Sequence, residues 1–206
     1  MNKRLGALCL IVLAAVMIVF LKFDNEIVRF FEGVRGSLLS EILLGVTFIS
    51  SEIIVFFFLT SLFLWQEHKR KWILPLWVTL LFSAIVGFLL KISVQRLRPY
   101  QIGIVGIFPA LKETAHYVWD FSFPSFNTML VFCALPILSK EFPKMKYFWI
   151  TFAALVGLSR IYFGLHFASD VLAGAIFGYL IGLGVLKLEK ETKFSEKIYN
   201  RVRKKK

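Results

Sequence analysis

Residues 159–170 read SRIYFGLHFASD and place an arginine, a histidine and an aspartate between two long apolar runs. Ionisable groups beside lipid are costly, and where they occur they usually mark a working site. A second polar stretch, KISVQRLRPY at 91–100, also closes an apolar run. Lys91 and Arg98 are seven residues apart, nearly two helical turns. On a continuous helix they share a face, about 10 Å apart along the axis. Pro99 disfavours helix at Arg98 and is predicted to end the helix there. If Arg160 reaches the same level, three cations converge, and they call for an anion with several oxygens, such as a phosphate group. Arg96 reads equally as a side chain snorkelling to the interface or as a member of this group. His166 and Asp170 follow a turn at Gly164 and lie about one helical turn apart if a helix starts near Phe167. A carboxylate bonded to one imidazole nitrogen sets the tautomer and leaves the other nitrogen free to attack. The chemistry these types and spacings allow is anion binding beside a histidine nucleophile.

The elements that must position these residues are membrane helices. The 206 residues are 58% hydrophobic with 23 phenylalanines, and the mean hydropathy is +0.72. A soluble domain is usually about half apolar at most. The chain reads as a single domain, 1–206, without internal repeats or a low-complexity linker. Six spans are predicted, near 5–23, 42–65, 73–95, 123–139, 147–163 and 169–188, each close to the ~20 residues a crossing takes. The fold class is therefore an all-α integral membrane protein with six transmembrane helices. The first span follows MNKR like a signal peptide, but no small-residue cleavage site follows it, the chain going on as FLKFDNE, so an uncleaved anchor is expected.

Basic short loops stay in the cytoplasm. MNKR, QEHKRK (66–71), KEFPKMK (140–146) and the final RVRKKK are such segments, and they hold much of the net charge of +12. Both termini are thus predicted inside, with 24–41, 96–122 and 164–168 outside. The basic tail, 189–206, is expected to lie along anionic headgroups, at about 1 kcal/mol per nearby basic residue; a nucleic-acid partner is not expected. In 24–41, Ile27, Phe30, Phe31, Val34, Leu38 and Leu39 recur at helical spacing and predict an amphipathic helix in the interface. Gly174, Gly178 and Gly182 form a small-residue stripe for close helix packing. Cys9 and Cys133 fall in apolar runs and imply neither a disulfide nor a metal site.

The motifs resemble those of the type 2 phosphatidic acid phosphatase family, whose active site is shared with vanadium haloperoxidases. Its first motif, Lys, six residues, Arg-Pro, is matched by KISVQRLRP, Lys91 to Pro99. Its third, Ser-Arg, five residues, His, three residues, Asp, is complete in SRIYFGLHFASD. The resemblance implies a helical-bundle lipid phosphatase using no metal and no organic cofactor, in which His166 forms a phosphohistidine and Asp170 orients it. It implies that Lys91, Arg98 and Arg160 hold the phosphate, with Ser125 and the first N–H groups of the fourth span as further donors and Ser159 as a minor contact. It also implies a substrate such as phosphatidate, phosphatidylglycerol phosphate or undecaprenyl diphosphate, bound on the outer face.

The second motif, Pro-Ser-Gly-His in the family, is here Pro124-Ser125-Phe126-Asn127. The family's histidine protonates the leaving oxygen; an asparagine donates hydrogen bonds but no proton. The departure is compatible with a variant enzyme, with a disabled family member that binds lipid phosphate, or with an engineered block. A phosphotransferase would use the same residues. Two substitute acids stand in the sequence. His116 lies in the outer loop, as does Asp120, which reads as a loop or cap residue. Glu52 lies in the outer part of the second span, where an ion pair with Lys91 or Arg98 is expected instead.

Overall fold

The computed structural model describes residues 3–114 and 121–203, and all its regular structure there is helical. The helices are α1 (Lys3–Gly33), α2 (Ser37–Ile49), α3 (Glu52–Trp65), α4 (Ile73–Val94), α5 (Phe126–Glu141), α6 (Lys146–Tyr162), α7 (Ala168–Thr192) and α8 (Phe194–Arg203). Each predicted span overlaps a helix or, for 42–65, the pair α2–α3. Among the described residues, two helical stretches are long and apolar enough to cross a membrane, Glu67–Val94 and Ala168–Thr192; a third is the α2–α3 pair if it counts as one span. Helices α5 and α6, of 16 and 17 residues, are shorter than the ~20 residues of a full crossing.

Three boundaries depart from the sequence reading. The interfacial helix expected over 24–41 does not form as a separate element. With no breaker before Gly33, α1 runs on to that residue, and the remainder opens α2. The span expected over 42–65 is broken at Ser50–Ser51, where α2 and α3 meet at 69°. The Ser50 hydroxyl bonds back to the Thr47 carbonyl, and Ser51 is extended as the N-cap of α3; serines offer the backbone such alternatives to helix. Finally, α4 stops at Val94 rather than at Arg98. Gln95 takes the left-handed conformation (φ 51°) and its N–H closes on the Lys91 carbonyl, a helix-ending geometry usually given to Gly or Asn. Lys91 and Arg98 therefore do not share a continuous helix face.

The glycine stripe sets α7 directly on α5. A Cβ at Gly174, Gly178 or Gly182 would lie 2.6, 2.2 or 2.1 Å from the carbonyl oxygen of Ser125, Met129 or Cys133. Backbone meets backbone along the whole crossing, and the same contact brings the start of α7 to the start of α5, where the Ser125 N–H donates to the Asp170 carbonyl (3.0 Å). Gly178→Ala is expected to destabilise the protein by about 1–3 kcal/mol, since the Met129 carbonyl is backbone and cannot swing away as a side chain would. Thermal unfolding in detergent checks this, and an unchanged midpoint would refute the packing argument.

The largest apolar core joins α3, α4, α5 and α6 through Phe63, Leu76, Ile137 and Ala153. A smaller one, Leu43, Tyr162, Phe163 and Leu165 with Leu111, lies under the turn between α6 and α7. The Tyr162 hydroxyl contacts Ser40 Oγ (2.8 Å) and accepts from the Gly36 N–H (3.2 Å), while Arg35 Nε donates to the Tyr162 carbonyl (3.0 Å). The α1–α2 connection is thereby pinned to the end of α6. Gly164 makes the turn at φ +68°, and a Cβ there would stand 2.4 Å from Val105.

Candidate active site

His166 sits in the turn between α6 and α7, 2% exposed. Its Nδ1 lies 2.7 Å from the Ser122 carbonyl. A carbonyl only accepts, so Nδ1 carries the proton and Nε2 holds the free electron pair; no described residue bonds Nε2. Burial first, then the positive charges of Arg98, Lys91 and Arg160, push the imidazole well below its ordinary pKa, opposed by the bond to Ser122. All three predicted cations thus act on one buried histidine.

Each cation comes from a different local structure. Lys91, in the last turn of α4, donates to the Phe121 carbonyl. Arg98 lies in the loop after α4 and donates to the Leu165 carbonyl (3.3 Å). Arg160 is buried in α6, and its Nη2 bonds the Thr47 carbonyl (3.1 Å) and Ser50 Oγ (2.8 Å) at the α2–α3 break. Its Nε–H, also buried, meets no acceptor among the described residues. The break that the sequence did not suggest therefore supplies the acceptors that aim Arg160.

Asp170 is fully buried but does not bond the imidazole directly, as the sequence reading had it. Its Oδ2 accepts from Ser122 Oγ (2.5 Å) and from the Phe167 N–H (3.0 Å), and its Oδ1 from Arg96 Nη1 (2.7 Å). Its hold on His166 runs through Ser122, which faces the ring with both its carbonyl and, at 3.5 Å, its hydroxyl.

The family model of the PAP2 superfamily matches residues 72–193. The chain belongs to the PAP2 superfamily. Among its curated relatives, lipid A 1-phosphatase of Rhizobium etli is 32% identical over 50% of this chain and 44% of that protein. The match thus spans less than half the length of that relative. Phosphatidylglycerophosphatase B of Bacillus subtilis is 29% identical over 72% of this chain and 74% of its own. The fold is that of the crystal structure of a transmembrane PAP2 type phosphatidylglycerolphosphate phosphatase from Bacillus subtilis. The TM-score is 0.70 at 22% identity, covering 93% of this chain and 98% of the other.

Other residues singled out in this PAP2 chain fall differently. Ser125 is buried at the N-cap of α5, but its hydroxyl pairs with Thr128 Oγ1 (2.9 Å) and its N–H is taken by Asp170. The N–H is thus engaged, while the hydroxyl either donates to Thr128 or accepts from it. Ser159 bonds back to the Val156 carbonyl (2.8 Å) within α6, so its hydroxyl is spent on its own helix. Asn127 Nδ2 donates to the Ser50 carbonyl (2.9 Å). Phe126, where PAP2 proteins have glycine by the motif above, turns its ring onto α4, against Gly87. Glu52 is exposed in the first turn of α3 and makes no ion pair with Lys91 or Arg98 among the described residues; the cation whose field it enters is Arg160. His116 and Asp120 lie outside the described residues.

Sequence reasoning missed Ser122, Ser50 and Asp24. A carboxylate within an apolar helix, as in FLKFDNE, was the one signal that could have exposed Asp24. The serines carried none, because their roles depend on backbone carbonyls.

Proposed function

We propose that this chain is an integral-membrane lipid phosphatase that removes the terminal phosphate of a lipid phosphate or polyprenyl diphosphate through a phosphohistidine. The observation that carries this reading is the buried His166 with Nδ1 held by the Ser122 carbonyl and the charges of Lys91, Arg98 and Arg160 acting on it. Nε2 attacks phosphorus; the bond to the leaving oxygen breaks and its electron pair departs with the lipid. Water then attacks the phosphohistidine, the P–N bond breaks, and its electron pair returns to Nε2 as inorganic phosphate leaves. The cations stabilise the charge that builds on the equatorial oxygens in both steps, and Ser122 and Asp170 stabilise the imidazolium formed in the first.

In this reading the chain is one membrane domain of six spans, with α1, α2–α3, α4, α5, α6 and α7 as the crossings. Both termini are cytoplasmic and the site lies at the outer headgroup level. The basic loops 66–71 and 140–146 support the orientation. Helix α8 with the basic tail rests on anionic headgroups at the inner surface; α8 is tied down through Glu196 to Lys71 (3.4 Å) and through Ser195 to Glu189 (2.7 Å).

Asn127 bears on the substrate. A lipid monophosphate expels an alkoxide, for which a positioned general acid is worth roughly 10²–10⁴-fold. A lipid diphosphate expels a phosphate monoester, already a stable anion, so the missing acid matters less. A diphosphate substrate follows. Phosphate release from a panel of lipid monophosphates and diphosphates, by the purified protein and by Asn127→His, tests this. Asn127→His is expected to raise monophosphate turnover more than diphosphate turnover; equal gains would defeat the leaving-group argument. Turnover of neither lipid until Asn127 is replaced would identify a disabled enzyme. Phe126 is best left in place, because removing a ring packed on Gly87 opens a void between α4 and α5.

A further inference from the structure

Beside the candidate site lies a buried ionic cluster that joins Asp170 of the third motif to Arg96 and Asp24, two residues that no motif assigns. Asp24 of α1 is 3% exposed. It accepts from the Ser169 N–H (2.9 Å) in the first turn of α7, from the Ser169 hydroxyl, and from Arg96 Nη2 (2.9 Å). The other end of the same guanidinium, Nη1, donates to Asp170 Oδ1 and to Ser169 Oγ, each at 2.7 Å. The plane of Arg96 lies over the Phe167 ring, 3.9 Å from its centroid. Two buried carboxylates thus share one arginine fork, and one of them is Asp170, which holds Ser122 and through it His166.

We propose that Asp24 is a positioning residue of the active site: from α1 it fixes Arg96, and Arg96 fixes the carboxylate that orients the Ser122–His166 pair. This rests on the phosphohistidine reading above. An anchor for α1 alone is the competing account. It is the weaker one, because α1 already docks near α7 through apolar contacts of Val28 with Val105 and Phe167. A buried ion pair adds little net stability over apolar packing; its attested uses are in register and specificity. What it contributes here is direction. A fork between two carboxylates allows Asp170 one rotamer, with Oδ2 facing Ser122, whereas Asp170 without Arg96 would be an uncompensated buried charge. Asp24 also lies outside residues 72–193, which the superfamily model matches. The constellation is therefore completed by a residue outside the stretch that the superfamily model matches.

The test uses the purified full chain with dioctanoyl phosphatidate and farnesyl diphosphate. It compares the parent, Asp24→Asn, Arg96→Lys, Asp24→Asn/Arg96→Gln and His166→Ala. For Asp24→Asn, kcat is expected to fall by roughly 10–100-fold, by analogy with groups that orient metal ligands. KM and inhibition by inorganic phosphate should stay within about threefold, because the cations are untouched. Arg96→Lys keeps a charge but loses the fork, and is expected to behave alike. The double variant should lose no more than the worse single change, as members of one chain of contacts do. If Asp24→Asn does not fold, Arg96→Lys is read by the same criteria. A folded variant with kcat within threefold of the parent overturns the proposal. So does a loss that appears equally in KM and phosphate inhibition, or one that tracks only the melting midpoint. His166→Ala separates the two layers: turnover surviving in it removes the phosphohistidine reading, whereas its silence beside a fully active Asp24→Asn removes only the role of Asp24.

Discussion

His166→Ala is expected to abolish turnover, by roughly 10⁶-fold in kcat, the order lost when a covalent nucleophile is deleted from a hydrolase. No other described side chain presents an unprotonated nitrogen to the three cations. The pH profile of the parent carries the same information. Attack needs the neutral imidazole, and that form is lost only as pH falls through the folded-state value. Burial and three cations hold that value well below the ordinary 6.5, so the acid limb of kcat/KM should lie below pH 6.5. Trapping by rapid acid-free quench and phosphorus NMR should show the phosphohistidine in the parent and none in His166→Ala. Parent-level phosphate release by His166→Ala would refute the mechanism, and an acid limb above pH 6.5 would refute the electrostatic account of the histidine.

Arg160→Met is expected to be the next most damaging change, lowering kcat/KM by roughly 10³–10⁵-fold, the range an arginine contributes to phosphoryl transfer. The residue is 7% exposed, so in the proposed mechanism its charge would act on the transferring group with little screening. One side of its fork is anchored on Thr47 and Ser50, while the buried Nε–H meets no acceptor among the described residues. Arg160→Lys keeps the charge without the fork and should recover only part of the loss. Steady-state kinetics with a lipid diphosphate, together with inhibition by inorganic phosphate, separates the effects. Arg160→Met within tenfold of the parent would show that the cation is structural.

Helix identity along the chain was legible because long apolar runs permit little else in a membrane, where every backbone polar group must be bonded within its own segment. The site was legible in outline for a different reason. Charged and titratable residues beside such runs are costly, so His166, Asp170, Lys91, Arg98 and Arg160 stood out by type and spacing before any contact was known. Helix ends were less legible. Gln95 has no sequence mark of a left-handed cap, and the Ser50–Ser51 break looks like any pair of small polar residues within FISSEIIVFF.

By itself, then, the sequence determined an all-helical apolar chain, its membership in a phosphatase superfamily, and which ionisable residues belong together. Those follow from composition and from motifs that one linear pattern can carry. The tertiary structure alone decided how the residues are held. It placed Ser122 between Asp170 and His166, turned Arg96 from a candidate snorkel into a bridge, brought Asp24 from α1 to the start of α7, paired Ser125 with Thr128 and bonded Ser159 back to its own helix. The physical reason is that a side chain's role at a buried site is set by which donors and acceptors face it. In this chain the decisive partners are backbone carbonyls and residues more than 40 positions away. A carbonyl has no signature in sequence, and such distances are closed only when α7 settles on α5 along its glycines.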